Sequence, residues 1–221
     1  MTAQEMLRKV DHTQLKPYAT WGDIQKLCEE AITYHTASVC IPPAYVKAVH
    51  ETYADKLNIC TVIGFPLGYS VTAAKVAEVN QAIAEGCNEI DMVVNISDVK
   101  NGYFEKVTEE IRTIKKACGA HILKVIIETC YLTQDEKIAM CKAVTDAGAD
   151  YIKTSTGFGD GGATKEDIIL FKEHIGKNVK IKAAGGVSTM EDLEMFLELG
   201  CDRIGTSRAV GLLKGEVTTG Y

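Results

Sequence analysis

Eight short apolar runs alternate with longer segments of helical periodicity along this chain, and that alternation constrains its fold more than any other feature. The runs lie at residues 11–15, 37–41, 59–64, 89–94, 122–128, 151–153, 179–183 and 202–205. Between them, Thr20 caps a helix to about residue 34, and Pro42-Pro43 opens one that reaches about residue 55. Residues 71–85 carry Ala73, Val76, Ala77, Val79 and Ile83 at 3.6-like spacing, with Gly86 as a stop. A further helix covers about 103–118. Thr133 with Glu136, and Ser188 with Glu191, read as capping boxes, and Thr164 with Asp167 opens another helix. Residues 2–9 form a short extra helix before the first strand. Strands separated by helices form a parallel sheet. An open, doubly wound sheet would carry Gly-x-Gly-x-x-Gly after its first strand, which is missing here. The expected architecture is an α/β fold, a (β/α)8 TIM barrel forming one domain over residues 1–221.

Inside a closed barrel, residues facing the helices alternate with residues facing the lumen. Glu89, Asp91 and Val93 share one face, opposite Ile90, Met92 and Val94. Lys124, Ile126 and Glu128 share a face opposite Val125 and Ile127, and Lys180 and Lys182 lie opposite Ile181. Tyr151 pairs in the same way with Lys153. Glu89 and Lys180 come early in their strands, near the bottom rim. The deeper and upper lumen then holds Asp91, Lys124, Glu128, Lys153 and Lys182. Three cations against two carboxylates do not cancel, and such a cluster is expensive to desolvate. A satisfied ion-pair network that merely packs the barrel is one reading; a reactive centre is the other.

Lys153 and Lys182 fall toward the C-terminal ends of neighbouring strands, where barrel active sites sit. Two ammonium groups held close together disfavour each other's charge, which leaves one free to act as an amine. Asp91 reaches across the lumen as a proton-transfer partner. Two glycine-rich turns follow the seventh and eighth strands, at Gly185-Gly186 and at Gly205-Thr206-Ser207. Loops in those places are the usual phosphate site of barrels of this kind. Gly157 adds a third close backbone approach.

A net charge of −6 argues against nucleic acid as the main partner, so an anionic ligand needs a local site. The eight cysteines are scattered with no Cys-x-x-Cys pair, which suits reduced, mostly buried thiols in a cytoplasmic protein. The histidines show no metal-ligand spacing. No signal peptide and no membrane span is expected.

These stretches resemble the deoxyribose-phosphate aldolase family over nearly the whole chain. The matching runs include Asp11-His12-Thr13, Ser38-Val39-Cys40, Ile63-Gly64-Phe65-Pro66-Leu67-Gly68, Glu89-Ile90-Asp91-Met92-Val93 and Leu123-Lys124-Val125-Ile126-Ile127-Glu128. The most specific is Lys153-Thr154-Ser155-Thr156-Gly157, followed later by Lys182-Ala183-Ala184-Gly185-Gly186. The resemblance implies a class I aldolase that needs no metal or other cofactor. It would cleave 2-deoxy-D-ribose 5-phosphate reversibly to acetaldehyde and D-glyceraldehyde 3-phosphate. Carried over by position, Lys153 is the Schiff-base nucleophile, Lys182 the second lysine and Asp91 the acid/base partner. Gly157, Gly185, Gly186, Gly205 and Ser207 surround the phosphate, with Lys124 and Thr154 as auxiliary residues. Relatives often end in a tyrosine that folds over the site, which marks Tyr221. The chain departs from the family at Pro42, where asparagine is usual, at Ala184, where many relatives have serine, and at Arg208, where a small residue is usual. The partners are then sugar phosphates and aldehydes, and a homodimer is compatible with a small barrel although no interface is visible in the sequence. A phosphosugar isomerase or epimerase on the same fold, and a non-catalytic sugar-phosphate binder, are the rival readings.

Overall fold

The computed structural model of the chain describes residues 1–215. Eight strands, β1 (Val10–Thr13), β2 (Ser38–Ile41), β3 (Ile59–Ile63), β4 (Glu89–Val93), β5 (Ile122–Ile126), β6 (Tyr151–Lys153), β7 (Lys180–Ala184) and β8 (Arg203–Thr206), close into a barrel in chain order. Each is parallel to the next, and β8 closes on β1 through Gly205 opposite Asp11. The helices are α1 (Ala3–Leu7), α2 (Trp21–Tyr34), α3 (Val46–Tyr53), α4 (Thr72–Ala84) and α5 (Ile96–Lys100). They continue with α6 (Phe104–Cys118), α7 (Gln134–Asp146), α8 (Lys165–His174), α9 (Met190–Glu198) and α10 (Ala209–Leu213).

The two-residue period of the strands divides the interior into two separate clusters. Val39, Ile90, Val125, Ile152 and Ile204 point outward and join the helices' apolar faces in the main core. Each such side chain contributes about 1.5–3 kcal/mol by leaving water. Leu15, Cys40, Cys60 and Val62 point the other way and form a small apolar cluster of their own, with Phe65 packed on it. The lumen therefore has an apolar side near β2 and β3, opposite its charged side.

Threonine side chains start most of the long helices. Thr20, Thr133 and Thr189 each build a capping box, and Thr164 accepts from the Asp167 amide. Each such cap stabilises its helix by about 1 kcal/mol. The expected start of α9 at Ser188 with Glu191 is off by one residue. The Asp192 carboxylate accepts from the amides of both Ser188, at 2.9 Å, and Thr189, at 3.0 Å, so the helix takes the later threonine as its cap. Helix α5 was not expected; Asn95 opens it by accepting from the Ser97 amide. A 3-10 turn at Pro43–Tyr45 precedes α3. Strand β5 ends at Ile126, short of Glu128, which adopts a left-handed conformation with φ 51° and leaves the sheet.

The β3–α4 loop presses on the end of β4. Gly68 has φ +74°, and a Cβ there would lie 2.0 Å from the Val94 carbonyl oxygen. Both backbone strain and the clash oppose any side chain. Gly68→Ala is expected to destabilise the fold by about 2–4 kcal/mol. Denaturant unfolding would read this as a lower midpoint.

Candidate active site

Register brings the charged residues to one level of the barrel. Lys153, the last residue of β6, lies opposite Lys182 on β7. Asp91 on β4 lies opposite Lys124 on β5. The Lys153 and Lys182 Nζ atoms each donate to the same oxygen, Asp91 Oδ2, at 2.7 Å. Lys124 donates to Asp91 Oδ1 at 2.9 Å, and the Cys60 thiol donates to that oxygen at 3.2 Å. Asp91, Lys124 and Lys182 have no exposed surface, and Lys153 only 3%.

Three further residues complete the network. Asp11 Oδ2 lies 2.5 Å from Lys182 Nζ, and its Oδ1 receives Ser38 and Arg203. Glu89 Oε2 holds Lys124 at 2.6 Å and Arg203 at 3.1 Å. Glu89 had been placed at the rim, Asp11 had been quoted only within a family-matching run, and Arg203 had been given no role. Asp11 is the second residue of β1, a strand of four residues with only one apolar side chain. The surplus of cations over carboxylates was the signal that more anions were needed. Glu128 was counted as one of the two lumen carboxylates, but it belongs elsewhere. Its carboxylate accepts from the Thr156 amide at 3.2 Å and from the Thr156 hydroxyl at 2.5 Å, and burial pushes its pKa up.

The two lysines of the pair share one carboxylate oxygen. Their mutual repulsion is offset by the shared carboxylate between them. Burial works against the Lys182 ammonium, but Asp11 and Asp91 outweigh it and hold its pKa above the ordinary lysine value. Lys182 is thus paired with two carboxylates in a closed space. Burial likewise works against the Asp91 charge, yet Lys124, Lys153 and Lys182 bring its pKa well below the usual carboxylate range. On the apolar side, a hydrogen bond with Cys60 is the main cause that lowers the Cys40 thiol, whereas burial raises Cys60.

Above the network a pocket opens at the C-terminal end of the strands. Lys153, Thr13, Leu15, Thr156, Ala184, Gly185, Gly186, Gly205 and Ser207 line it. Gly185 has φ +80°, and a Cβ there would meet Gly162 Cα at 3.0 Å and Ser155 Cβ at 3.3 Å. A Cβ on Gly205 would lie 3.1 Å from Lys182 Cε. These glycines let backbone pass close to the lysines. Gly157 does not line the pocket; it backs Gly185, 3.7 Å from where that Cβ would be. The Thr154 hydroxyl donates to the Ala184 carbonyl at 3.0 Å and accepts its amide at 3.1 Å, which ties β6 to β7. Thr13, Leu15 and Thr156 are pocket residues that the sequence reading did not single out. Tyr221 lies outside the described residues.

Comparison with known proteins places the barrel among the aldolases. The family model described as "DeoC/LacD family aldolase" matches residues 5–216. A curated deoxyribose-phosphate aldolase of Clostridium botulinum (strain Alaska E43 / Type E3) is 72% identical over 221 residues, 100% of each chain. One from Clostridioides difficile (strain 630) is 59% identical over 99% of this chain and 100% of that protein. The solved deoxyribose phosphate aldolase from Aeropyrum pernix, described as tetrameric, superimposes with a TM-score of 0.90 at 28% identity, covering 97% of this chain and 92% of that one. The chain belongs to the DeoC/LacD aldolase family.

The Asp11 pKa is also depressed: burial opposes its charge, but Lys182, Lys124 and Arg203 outweigh that effect. A depressed folded-state value stabilises the protein above the unfolded value of 3.8, and that contribution is lost as pH falls through the folded value. Asp11→Asn is expected to cost about 3–5 kcal/mol at pH 7 and progressively less in acid below the unfolded value. Urea unfolding of both proteins at neutral pH and in acid measures the difference.

Proposed function

We propose that this chain is a deoxyribose-phosphate aldolase. It cleaves 2-deoxy-D-ribose 5-phosphate reversibly to acetaldehyde and D-glyceraldehyde 3-phosphate, with Lys153 as the Schiff-base nucleophile. The observation that carries this reading is the pair of lysine Nζ atoms, each 2.7 Å from Asp91 Oδ2. Of the two, Lys153 also lines the pocket. Lys182 pairs with both Asp11 and Asp91 away from the pocket, so it takes the part of the neighbouring cation and Lys153, which a substrate can reach, that of the amine.

The steps follow from that geometry. The Lys153 nitrogen attacks the sugar aldehyde and passes a proton to Asp91. Protonation of the carbinolamine oxygen, with Lys182 supplying positive charge beside it, expels water and leaves an iminium. Asp91 returns its proton to the carbinolamine oxygen as water leaves. The iminium then accepts the electron pair of the breaking carbon–carbon bond, while Asp91 takes the hydroxyl proton of the departing fragment, the proton it later gives to the enamine carbon. Glyceraldehyde 3-phosphate leaves, and the enamine remains on Lys153. Protonation of the enamine carbon and hydrolysis release acetaldehyde and restore the amine. In this reading Gly185, Gly186, Gly205 and Ser207 present backbone and hydroxyl donors to the phosphate, with Gly157 supporting Gly185. Lys124 holds Asp91 in place from below. A cytoplasmic location and self-association of the barrel are part of the same proposal, read by fractionation and light scattering.

Borohydride reduction in the presence of deoxyribose 5-phosphate is expected to leave a stable two-carbon adduct on Lys153, located by peptide mass. Lys153→Arg should give no adduct and lower kcat by more than about 10³-fold, because a guanidinium cannot serve as the amine. Absence of the adduct in the unaltered protein would favour the isomerase reading. Ser207→Ala should raise KM for deoxyribose 5-phosphate by about tenfold with little change for unphosphorylated deoxyribose. Steady-state kinetics with both sugars tests this.

A further inference from the structure

Glu128 has no part in the chemistry above, yet the fold holds it in an unfavourable place. It adopts φ 51° without being glycine, and its side chain is buried at 2% exposure. Left-handed backbone and a buried carboxylate each cost stability. On either side of it the chain clasps β6. The Ile127 amide donates to the Lys153 carbonyl at 3.1 Å, and the Thr129 amide donates to the Thr154 carbonyl at 3.0 Å. Among the described residues, every hydrogen bond to the Glu128 carboxylate comes from Thr156. We propose that Glu128 is a positioning residue: it fixes the Thr156 hydroxyl as an acceptor for one hydroxyl of the sugar phosphate, and so sets the choice between mirror-image aldehydes. This role rests on the aldolase reading and the phosphate contacts given above.

The donors and acceptors decide where the Thr156 proton lies. A carboxylate accepts and cannot donate, so the Thr156 hydroxyl gives its proton to Glu128, at 2.5 Å. The same Thr156 oxygen accepts the Phe158 amide at 2.9 Å. One lone pair is left, and Thr156 lines the pocket together with Lys153, Gly185, Gly186 and Ser207. Toward a ligand, Thr156 is then an acceptor only. Gly159 lets the following loop close over Glu128, since a Cβ there would lie 3.2 Å from Glu128 Cδ. In the proposed mechanism the sugar's C1 joins Lys153, its C3 hydroxyl gives a proton to Asp91, and its phosphate meets the glycine turns. The C4 hydroxyl is the sugar's remaining donor, and it becomes the C2 hydroxyl of glyceraldehyde 3-phosphate. With the aldehyde and phosphate ends anchored, an acceptor at a fixed place is the third contact that separates the D form from the L form. Without Glu128 the Thr156 side chain loses the bond that holds its rotamer and its proton, and its preference for one hydroxyl position weakens.

The test measures condensation of acetaldehyde with D- and with L-glyceraldehyde 3-phosphate, in separate assays of the full chain with the product followed by NMR. The two aldehydes are mirror images with the same intrinsic reactivity, so the ratio of their kcat/KM values reports the site alone. The unaltered protein is expected to favour the D form by about tenfold or more, the effect of about one well-placed hydrogen bond. Thr156→Val lowers the ratio by about tenfold, chiefly through a higher KM for the D form, and Thr156→Ser keeps it. Glu128→Gln lowers the ratio in the same direction, because an amide can donate to the Thr156 oxygen and release its proton. Adding Glu128→Gln to Thr156→Val lowers it no further, as expected of a residue that acts through the other. Circular dichroism confirms folding, and Glu128→Gly, which relieves the left-handed backbone, decides if Glu128→Gln does not fold. A ratio near one in the unaltered protein, equal losses for both aldehydes in Glu128→Gln, or a further loss in the double variant overturns the role of Glu128 and leaves the aldolase reading standing. Condensation with neither aldehyde, together with no borohydride adduct on Lys153, overturns the aldolase reading and this role with it.

Discussion

One carboxylate holds this barrel's interior together. Asp91 accepts from Lys124, Lys153 and Lys182 with no exposed surface of its own. Any one of those lysines, buried alone, would be an uncompensated charge costing several kcal/mol. The carboxylate makes it feasible to bring two amines to one oxygen. Asp11, Glu89 and Arg203 then surround the centre, so that each of these buried charges has an opposite charge beside it.

The network is not symmetric, and the asymmetry separates the two lysines. Lys182 touches both Asp11 and Asp91 and has no exposed surface. Lys153 touches Asp91 alone and borders the pocket. A residue held by two carboxylates in a closed space keeps its proton. A residue held by one, at the end of a three-residue strand, is the one a ligand can reach. The apolar cluster of Leu15, Cys40, Cys60 and Val62 excludes water from the opposite wall, which strengthens each charge–charge interaction on the polar side.

Most of this arrangement was legible in the sequence because strands write their two faces alternately. The positions of Asp91, Lys124 and Lys182 on the lumen face followed from Ile90, Val125 and Ile181 on the other. The threonine caps at Thr20, Thr133 and Thr164 were legible for the same local reason, since a cap depends on residues three apart. Asp11 escaped because β1 is mostly polar and offers no apolar face against which alternation could be read, and Arg203 because, like Glu89, it opens its strand. Glu128 was misplaced for the opposite reason. Its spacing continued the β5 pattern, but a left-handed turn after Ile126 sends it to Thr156. Cys60 read as ordinary core, and only the folded side chains reveal that its thiol donates to Asp91.

The same register explains why a lysine at a strand end need not be structural. A lysine needed only for packing would be satisfied wherever a single carboxylate faced it, as Lys75 is by Glu110 at 3.0 Å and by the Val93 carbonyl at 2.8 Å. Lys75 is fully buried under the β3–α4 loop and borders no opening among the described residues. Lys153 has an equally short ion pair, yet glycines at 185, 186 and 205 keep side chains out of the space above it. Leaving that space open forgoes packing that a filled barrel would gain. The protein retains an open pocket directly over one buried amine, and a purely structural ion pair would give no reason for one.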